Sequence, residues 1–508
     1  MNFDLRIIAF LLSLAAAAFA LILGVSVGSG EYLMPTLVIV AFAAIFLISK
    51  PQVAVAGAIA TFFSGVTLPG LPGQMKLFDV FALALIGIFI LSATLRKAGR
   101  KQIPFSKLDW VVLAFCAWIL FVGFVRGLGF LAFGGDKIGG FLYIRLLLAA
   151  SLVITLPRIG LPPGNWRSVI LIAGLLAPAS LIADLLVMKG WGFTLVRTFI
   201  QTGQSEDVLE TAEDSDPAGM NRLFSAGLAA NGMLLALLCL VPMRKFFRLG
   251  GIFWVTLFAS IFALSLLSGF RMMTFSLVAI AALALYFQKG FTAPRMATLF
   301  IAGCAGLLFV YLFASHLPNS AQRAISWLPG IQVSNIAMGD ATQTVEWRLQ
   351  VWHEALRYVP DYWLIGKGFS YDKLDYIYAL QSLDTTRWAL VTGSYHNGWL
   401  SMLLCTGVVG TILCLILLVA PMILHWKRQR ANWNNPFFQH IHGVFLAALV
   451  TTVAAFAVIY GEVHTSFPVL FFYWAMMEML SRADADAEPA SPSEYEPSET
   501  FESVYQET

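Results

Sequence analysis

The chain has 508 residues, of which 59% are hydrophobic and 12% charged, about half the charged share of ordinary globular proteins. So few charges exclude a water-soluble surface on a chain of this length. The net charge of +3 excludes nothing by itself, but the placement of Lys and Arg is informative.

Apolar stretches of roughly 20 residues recur along the chain, and in lipid a helix satisfies its own backbone. The pattern predicts an all-α polytopic membrane protein of 12–14 transmembrane helices with a large helical loop before a late span. In chain order the candidate spans are 5–27, 33–49, 52–68, 78–95, 109–126, 138–156, 168–188, 223–241, 251–269, 271–287, 296–315, 396–424, 441–460 and 465–481. The first, Leu5 to Val27, is longer than a signal-peptide core and lacks a small-x-small cleavage site, so it reads as a retained span. Cys116, Cys239, Cys304, Cys405 and Cys414 all lie in apolar stretches without metal-ligand spacing. They read as packing residues, with neither a disulfide framework nor a metal site expected.

Alternate connections carry the basic residues. Lys50, the Arg96–Lys107 cluster, Arg158, Arg167, the Arg244–Arg248 cluster, Lys289, Arg295 and Lys427–Arg430 fall on one side. The short connections of the other side hold only Lys76, Arg126 and Lys137. This asymmetry predicts that both termini are cytoplasmic. The expected organisation is a bundle over 1–315 with an outer loop at 189–221, a large outer loop at 316–395, C-terminal spans over 396–481 and a disordered tail at 482–508. The outer loop includes the acidic stretch Gln204 to Asp216, and the tail is rich in Glu, Pro and Ser. Asp484 and Asp486 form an Asp-x-Asp, but no α/β domain surrounds them, so no metal role is expected.

Polar groups in or beside membrane helices are functional candidates. Arg145 lies inside the sixth span, Arg222 opens the eighth, Arg271 sits at a tight outer turn and Arg348 is in the large loop. All four are expected near the outer surface, where the alternative for each is snorkelling to headgroups. From Thr344 to Val359 the sequence reads as an amphipathic helix. Its expected apolar face is Val345, Leu349, Trp352, Ala355, Leu356 and Val359, with Glu346, Gln350, His353, Glu354 and Arg357 opposite. Arg348 falls on the apolar face, where a guanidinium needs a carboxylate or an anionic ligand. His396 precedes a span, where the free N–H groups and positive helix end are expected to keep it neutral and to favour a nearby phosphate. Glu462 and His464, in the last outer turn, form a weaker candidate pair.

These residues carry a resemblance. His396-Asn397 with Leu400, Leu403, Gly407 and Gly410 resembles the HN-x-x-L-x-x-L-x-x-x-G-x-x-G signature of the O-antigen ligase and polymerase superfamily. Arg348, Trp352, Ala355, Pro360, Gly366 and Gly368 are similar to its R-x-x-x-W-x-x-A…P…G-x-G stretch. Arg222 with Asn231, and Ser268 with Arg271, resemble two further family regions imperfectly, Phe224-Ser225 standing where a glycine is expected and Gly269-Phe270 inserted. The resemblance covers roughly residues 220–420.

The resemblance implies a bacterial inner-membrane enzyme with a periplasmic active site, needing neither metal nor cofactor. It would transfer a glycan from an undecaprenyl-pyrophosphate donor to a lipid or glycan acceptor. That acceptor is lipid A–core in ligases and a carrier-linked repeat unit in polymerases. Arg222 and Arg348 would hold the pyrophosphate, with Arg271, Arg145 and Asn397 as further substrate contacts, and His396 would act on the acceptor hydroxyl. Partners would be membrane lipids and other polysaccharide assembly proteins, with no nucleic acid. A ligase is preferred to a polymerase. The rivals from other classes are an anion transporter or flippase, which usually shows internal repeats and midplane charges, and a catalytically silent scaffold.

Overall fold

The computed structural model describes residues 46–68, 75–94, 104–127, 140–189, 223–369, 373–381, 384–458 and 460–486. The first expected span, most of the second, the acidic loop with Arg222, and most of the tail lie outside the described residues. Among those described, the elements are helical and the only strand-like feature is a single bridge between Thr67 and Lys76. The protein is an all-α polytopic membrane protein.

The bundle comprises α1 (Pro51–Thr61), α2 (Leu77–Thr94), α3 (Lys107–Arg126), α4 (Phe141–Ile159), α5 (Trp166–Leu176), α6 (Ala179–Met188), α7 (Phe224–Leu240), α8 (Ile252–Leu267), α9 (Arg271–Phe287) and α10 (Ala293–Phe313). A run of shorter helices follows: α11 (Asn319–Ile325), α12 (Asn335–Arg357), α13 (Val359–Tyr362), α14 (Lys373–Gln381) and α15 (Thr385–Thr392). The chain then returns to the bundle with α16 (Gly398–Gln429), α17 (Pro436–Val458) and α18 (Val463–Ala485). Among the described residues, 7 helical stretches are long and apolar enough to cross a membrane, and α1, α7, α8 and α9 are shorter apolar helices. The seventh expected span is broken at Ala177-Pro178 into α5 and α6, because proline has no N–H to continue the ladder.

Polar residues define the two ends of the bundle. At one end Ser106 and Asp109 form a capping box on α3, and Asp109 also takes Arg158 from the end of α4 at 2.7 Å. At the same end Arg428 reaches Asp484 at 3.0 Å and Arg430 reaches Tyr286. Asp484 also accepts from the Asn435 N–H, so the Asp-x-Asp aspartate closes the last helix. This end holds the Lys/Arg-rich connections. At the opposite end Ser225 donates to Asp184, Ser180 to the Ser64 carbonyl, and Arg126 to the Gly366 carbonyl at 2.7 Å. The shorter helices α11–α15 sit at this second end.

Residues 363–369, after α13, dip into the bundle against a break in α16. Gly407 leaves the helical region (φ 68°, ψ −176°), a conformation that belongs to glycine. The groups freed by the break are satisfied across the gap. Lys367 N–H donates to Leu404 O at 2.6 Å, Gly368 N–H to Cys405 O at 3.0 Å, and Val408 N–H to Trp363 O at 2.7 Å. Trp118 donates its indole N–H to Thr406 O at 2.7 Å. A Cβ on Gly407 would lie 2.3 Å from Leu364 O, and one on Gly366 2.6 Å from Cys405 O. Backbone away from helix is tolerated at membrane depth where protein partners replace the ladder.

Candidate active site

α12 lays one edge of its surface on the top of the bundle. Ser334 caps it by accepting from the Ala337 N–H, so the helix begins well before the expected Thr344. Its inward face is Ala337, Ala341, Arg348, Val351 and Ala355. This corrects the expected apolar face: Val345, Leu349 and Leu356 are 49%, 56% and 56% exposed. Close approach selects the small side chains for the contact and turns the leucines outward. Arg348 keeps its expected inward place and is half-buried.

Arg323, which sequence reasoning did not single out, fixes that approach. It is buried, pairs with Asp340 of α12, donates to Thr344 at 3.0 Å and reaches Gly269 O at 2.6 Å. The turn carrying Arg271 is thereby tied to the helix carrying Arg348. Arg271 itself donates to Ala341 O at 3.1 Å.

Below Arg348 the ends of three helices meet. α15 ends at Gly393 in the left-handed conformation (φ 74°), and α16 starts after Asn397. Asn397 caps α16, its side-chain oxygen accepting from Trp399 N–H at 3.0 Å and Leu400 N–H at 3.2 Å. That corrects one expectation: the Trp399 and Leu400 N–H groups are taken up by the cap and do not wait for a phosphate. His396, between the two caps, has φ 51°, which costs a residue with a Cβ on the order of 1–3 kcal/mol. The turn aims the imidazole at the start of α18.

There His396 Nδ1 lies 3.0 Å from Glu462 Oε1, close in distance although not aligned as a linear hydrogen bond. The other Glu462 oxygen lies 3.3 Å from His464 Nε2. Tyr460 stacks on the imidazole with ring centroids 4.7 Å apart, and Trp347 of α12 approaches it at 5.2 Å. Trp352 holds the Tyr395 carbonyl at 2.8 Å. Burial pushes the Glu462 carboxyl up, but the bond with His396 and the His464 charge outweigh it and bring it below its ordinary value. The imidazole therefore faces a carboxylate, which offsets the positive helix end that sequence alone suggested.

Arg348 stands over the Tyr460 ring at 6.0 Å. Burial draws its guanidinium below the ordinary range, Tyr460 and Glu462 pull it up, and the charge of Arg271 adds to the lowering. Arginine remains protonated through such shifts. Its Nε is buried with no hydrogen-bond partner among the described residues. Two guanidiniums within electrostatic reach, one with an unused buried donor, have the charge and the donors that an anion with several oxygens needs. Arg145 is placed differently: it lies 3.6 Å from the buried Asp79 carboxylate and over the Phe141 ring.

The structure thus brings Arg348, Arg271 and His396 to one end of the bundle and adds Glu462 and Tyr460. Residues 254–415, from α8 into α16, match the family model described as O-antigen ligase. That stretch is similar to the O-antigen ligase family. It contains Arg271, Arg323, Arg348, His396 and Gly407, whereas Arg145, Tyr460 and Glu462 come from outside the matched residues. No curated protein matches the chain closely enough to count as a relative. The O-antigen ligase match supports glycan transfer of the ligase or polymerase type as the general chemistry.

Proposed function

We propose that the protein is an inner-membrane ligase that moves a glycan from an undecaprenyl-pyrophosphate carrier to a hydroxyl acceptor on the periplasmic face. The observation that carries this reading is a histidine–carboxylate pair beside an arginine whose buried donor is unused. Both termini are assigned to the cytoplasm, because the Lys/Arg-rich connections lie at the end of the bundle away from this pair.

In the proposed reaction the acceptor hydroxyl gives its proton to His396 Nε2, and its oxygen bonds to the anomeric carbon. The bond from that carbon to the pyrophosphate oxygen breaks, and the electron pair leaves with the phosphate. Glu462 holds Nδ1 and stabilises the imidazolium that forms, a role worth orders of magnitude where a buried carboxylate orients a catalytic histidine. Arg348 and Arg271, with Arg222, neutralise the departing diphosphate in a partly dehydrated site. Arg145 and the Asn397 amide complete the substrate contacts. The carrier phosphoester supplies the driving force.

The test is lipid-linked glycan in His396→Ala cells, resolved by membrane face and normalised to protein abundance. Transfer should stop and donor should accumulate on the outer face. Loss of a lipid A–core conjugate alone marks a ligase, and loss of chain growth marks a polymerase. A flippase would accumulate its substrate inside. Unchanged surface polysaccharide at normal abundance removes His396 from catalysis.

A further inference from the structure

The helices above the bundle enclose a second space, of about 440 Å³, on the flank of α12 away from Arg348. Gln350 and Glu354 line it from α12, Tyr358 from its end and Tyr362 from α13. Asp384, Thr386 and Arg387 face them from the start of α15. At the base, the Lys367 ammonium donates to Leu390 O at 2.9 Å and Val391 O at 3.2 Å, so it closes the last turn of α15. Tyr395 forms the inner wall, and burial raises its phenol well above the ordinary value, with Cys405, Tyr362 and Tyr358 adding to the effect. Three tyrosines therefore converge on one cavity.

The chemistry of this lining selects among ligands. A phosphate would need concentrated positive charge, yet Lys367 is spent on carbonyls, Arg387 lies over the Tyr378 ring, and two carboxylates share the wall. An apolar tail would displace water from Gln350 and Glu354, at a cost in each case. A carbohydrate meets both demands. Its hydroxyls donate to carboxylates and accept from amide and guanidinium groups, and its C–H faces lie on aromatic rings. Glu354 lines the cavity and uses only Oε2 on Arg357, at 3.0 Å. The volume falls in the ordinary range for ligand pockets.

Position links this cavity to the reaction centre. Tyr395 and His396 are chain neighbours, the first lining the cavity and the second paired with Glu462, while Trp352 pins the peptide between them. We propose that this cavity seats sugar residues of the glycan substrate, next to the linkage that His396 makes. The inference rests on the glycan-transfer reading and names where that glycan is held.

The experiment uses the full chain in nanodiscs and two probes. One is the glycan released by mild acid from the cell's own carrier-linked material, and the other is the deacylated acceptor oligosaccharide. Binding is read by saturation-transfer NMR and titration for wild type, Glu354→Gln and Glu354→Gln/Tyr358→Phe. Both side chains are partly exposed, so these variants keep the fold, which a thermal midpoint checks. Glycan affinity should fall about tenfold or more in the double variant, with KM rising more than kcat falls and pyrophosphate affinity unchanged. Binding of only the first probe assigns the cavity to the donor, of only the second to the acceptor, and of both to a shared sugar motif. No binding of either probe to wild type, or equal affinity in the variants, overturns the proposal. If His396→Ala still transfers glycan, the reaction reading falls while these affinities stand; if His396→Ala is dead and the cavity variants match wild type, only the cavity proposal falls.

Discussion

Glu462 Oε1 sits 3.0 Å from His396 Nδ1 and accepts from the Tyr460 hydroxyl at 3.4 Å, while Oε2 lies 3.3 Å from His464 Nε2. A carboxylate that is 2% exposed cannot itself meet a substrate. In the proposed reaction it acts through the imidazole, by fixing which nitrogen carries the proton and by matching the charge that develops. Glu462→Gln preserves shape and removes that charge. Transfer should fall about 10²–10⁴-fold at near-normal protein abundance, measured with purified donor and acceptor. A variant within a few-fold of wild type would reduce Glu462 to packing.

The same carboxylate predicts a pH dependence of stability. Its folded value is depressed by His396 and His464 against the opposing effect of burial. A depressed carboxylate contributes stability above its unfolded value, about 4.3, and loses it as pH falls through the folded value. The thermal midpoint of wild type should therefore drop relative to Glu462→Gln as pH falls below about 4. Parallel curves for the two proteins through that range would contradict the pairing.

Arg348 and Arg323 should respond oppositely to removal. Arg323 is buried in a filled network with Asp340, Thr344 and Gly269, so Arg323→Ala leaves a carboxylate and a carbonyl without their partner and should cost about 3–5 kcal/mol. Arg348 stands over the Tyr460 ring, and its buried Nε has no hydrogen-bond partner among the described residues. Arg348→Met should leave the thermal midpoint unchanged or raised while abolishing transfer and pyrophosphate binding. Arg348→Lys should also fail, since a point charge lacks the fork that grips two oxygens. A destabilised Arg348→Met protein would mark the residue as structural.

Gly407 tests the break in α16. Gly407→Ala forces a Cβ to 2.3 Å from Leu364 O in a backbone conformation open to glycine. The 362–369 segment should release, lowering the thermal midpoint by an amount equivalent to at least about 1–3 kcal/mol and exposing that segment to protease. An alanine variant as stable and protease-resistant as wild type would show that the segment does not depend on this contact.

Helices and the His396 turn were legible because each is written in local sequence: apolar runs of spanning length, and Ser-Tyr-His-Asn-Gly ahead of one of them. Arg348 was legible as a charge among apolar residues. The Glu462 partnership was visible only as polar residues in a short outer turn, since no periodicity joins positions on separate helices. The amphipathic reading of α12 misjudged which apolar residues face inward, because it weighed hydrophobicity where Ala337, Ala341 and Ala355 win on size. The dipping 362–369 segment had a sequence trace in Gly366, Gly368 and Gly407, but only tertiary contact explains why they must lack a Cβ: Gly366 and Gly407 face each other's segments across the break in α16, and Gly368 lies against the Tyr143 hydroxyl of α4.

Orientation is tested at α12. Glu346 and His353 are exposed on the helix that carries Arg348. Cysteine placed at either, in a chain whose five native cysteines are replaced, should react with a membrane-impermeant thiol reagent in intact cells whose outer membrane is opened. Reaction only after the inner membrane is permeabilised would put the site in the cytoplasm and end the proposed function.

The final prediction is stereochemical. Retention at an anomeric carbon requires two displacements through a glycosyl-enzyme intermediate, and hence a nucleophile that reaches the carbon. The carboxylate nearest His396 among the described residues is Glu462, which is buried and engaged by two histidines. In the proposed reaction His396 takes a proton from an acceptor hydroxyl that attacks in a single displacement, and the diphosphate leaves toward Arg348. The linkage formed should therefore have the anomeric configuration opposite to that of the carrier-linked donor, read by one-bond carbon–proton couplings of donor and product. A retained configuration, or a glycosylated enzyme trapped from donor without acceptor, would require a covalent nucleophile and remove His396 from the role of base for a direct attack.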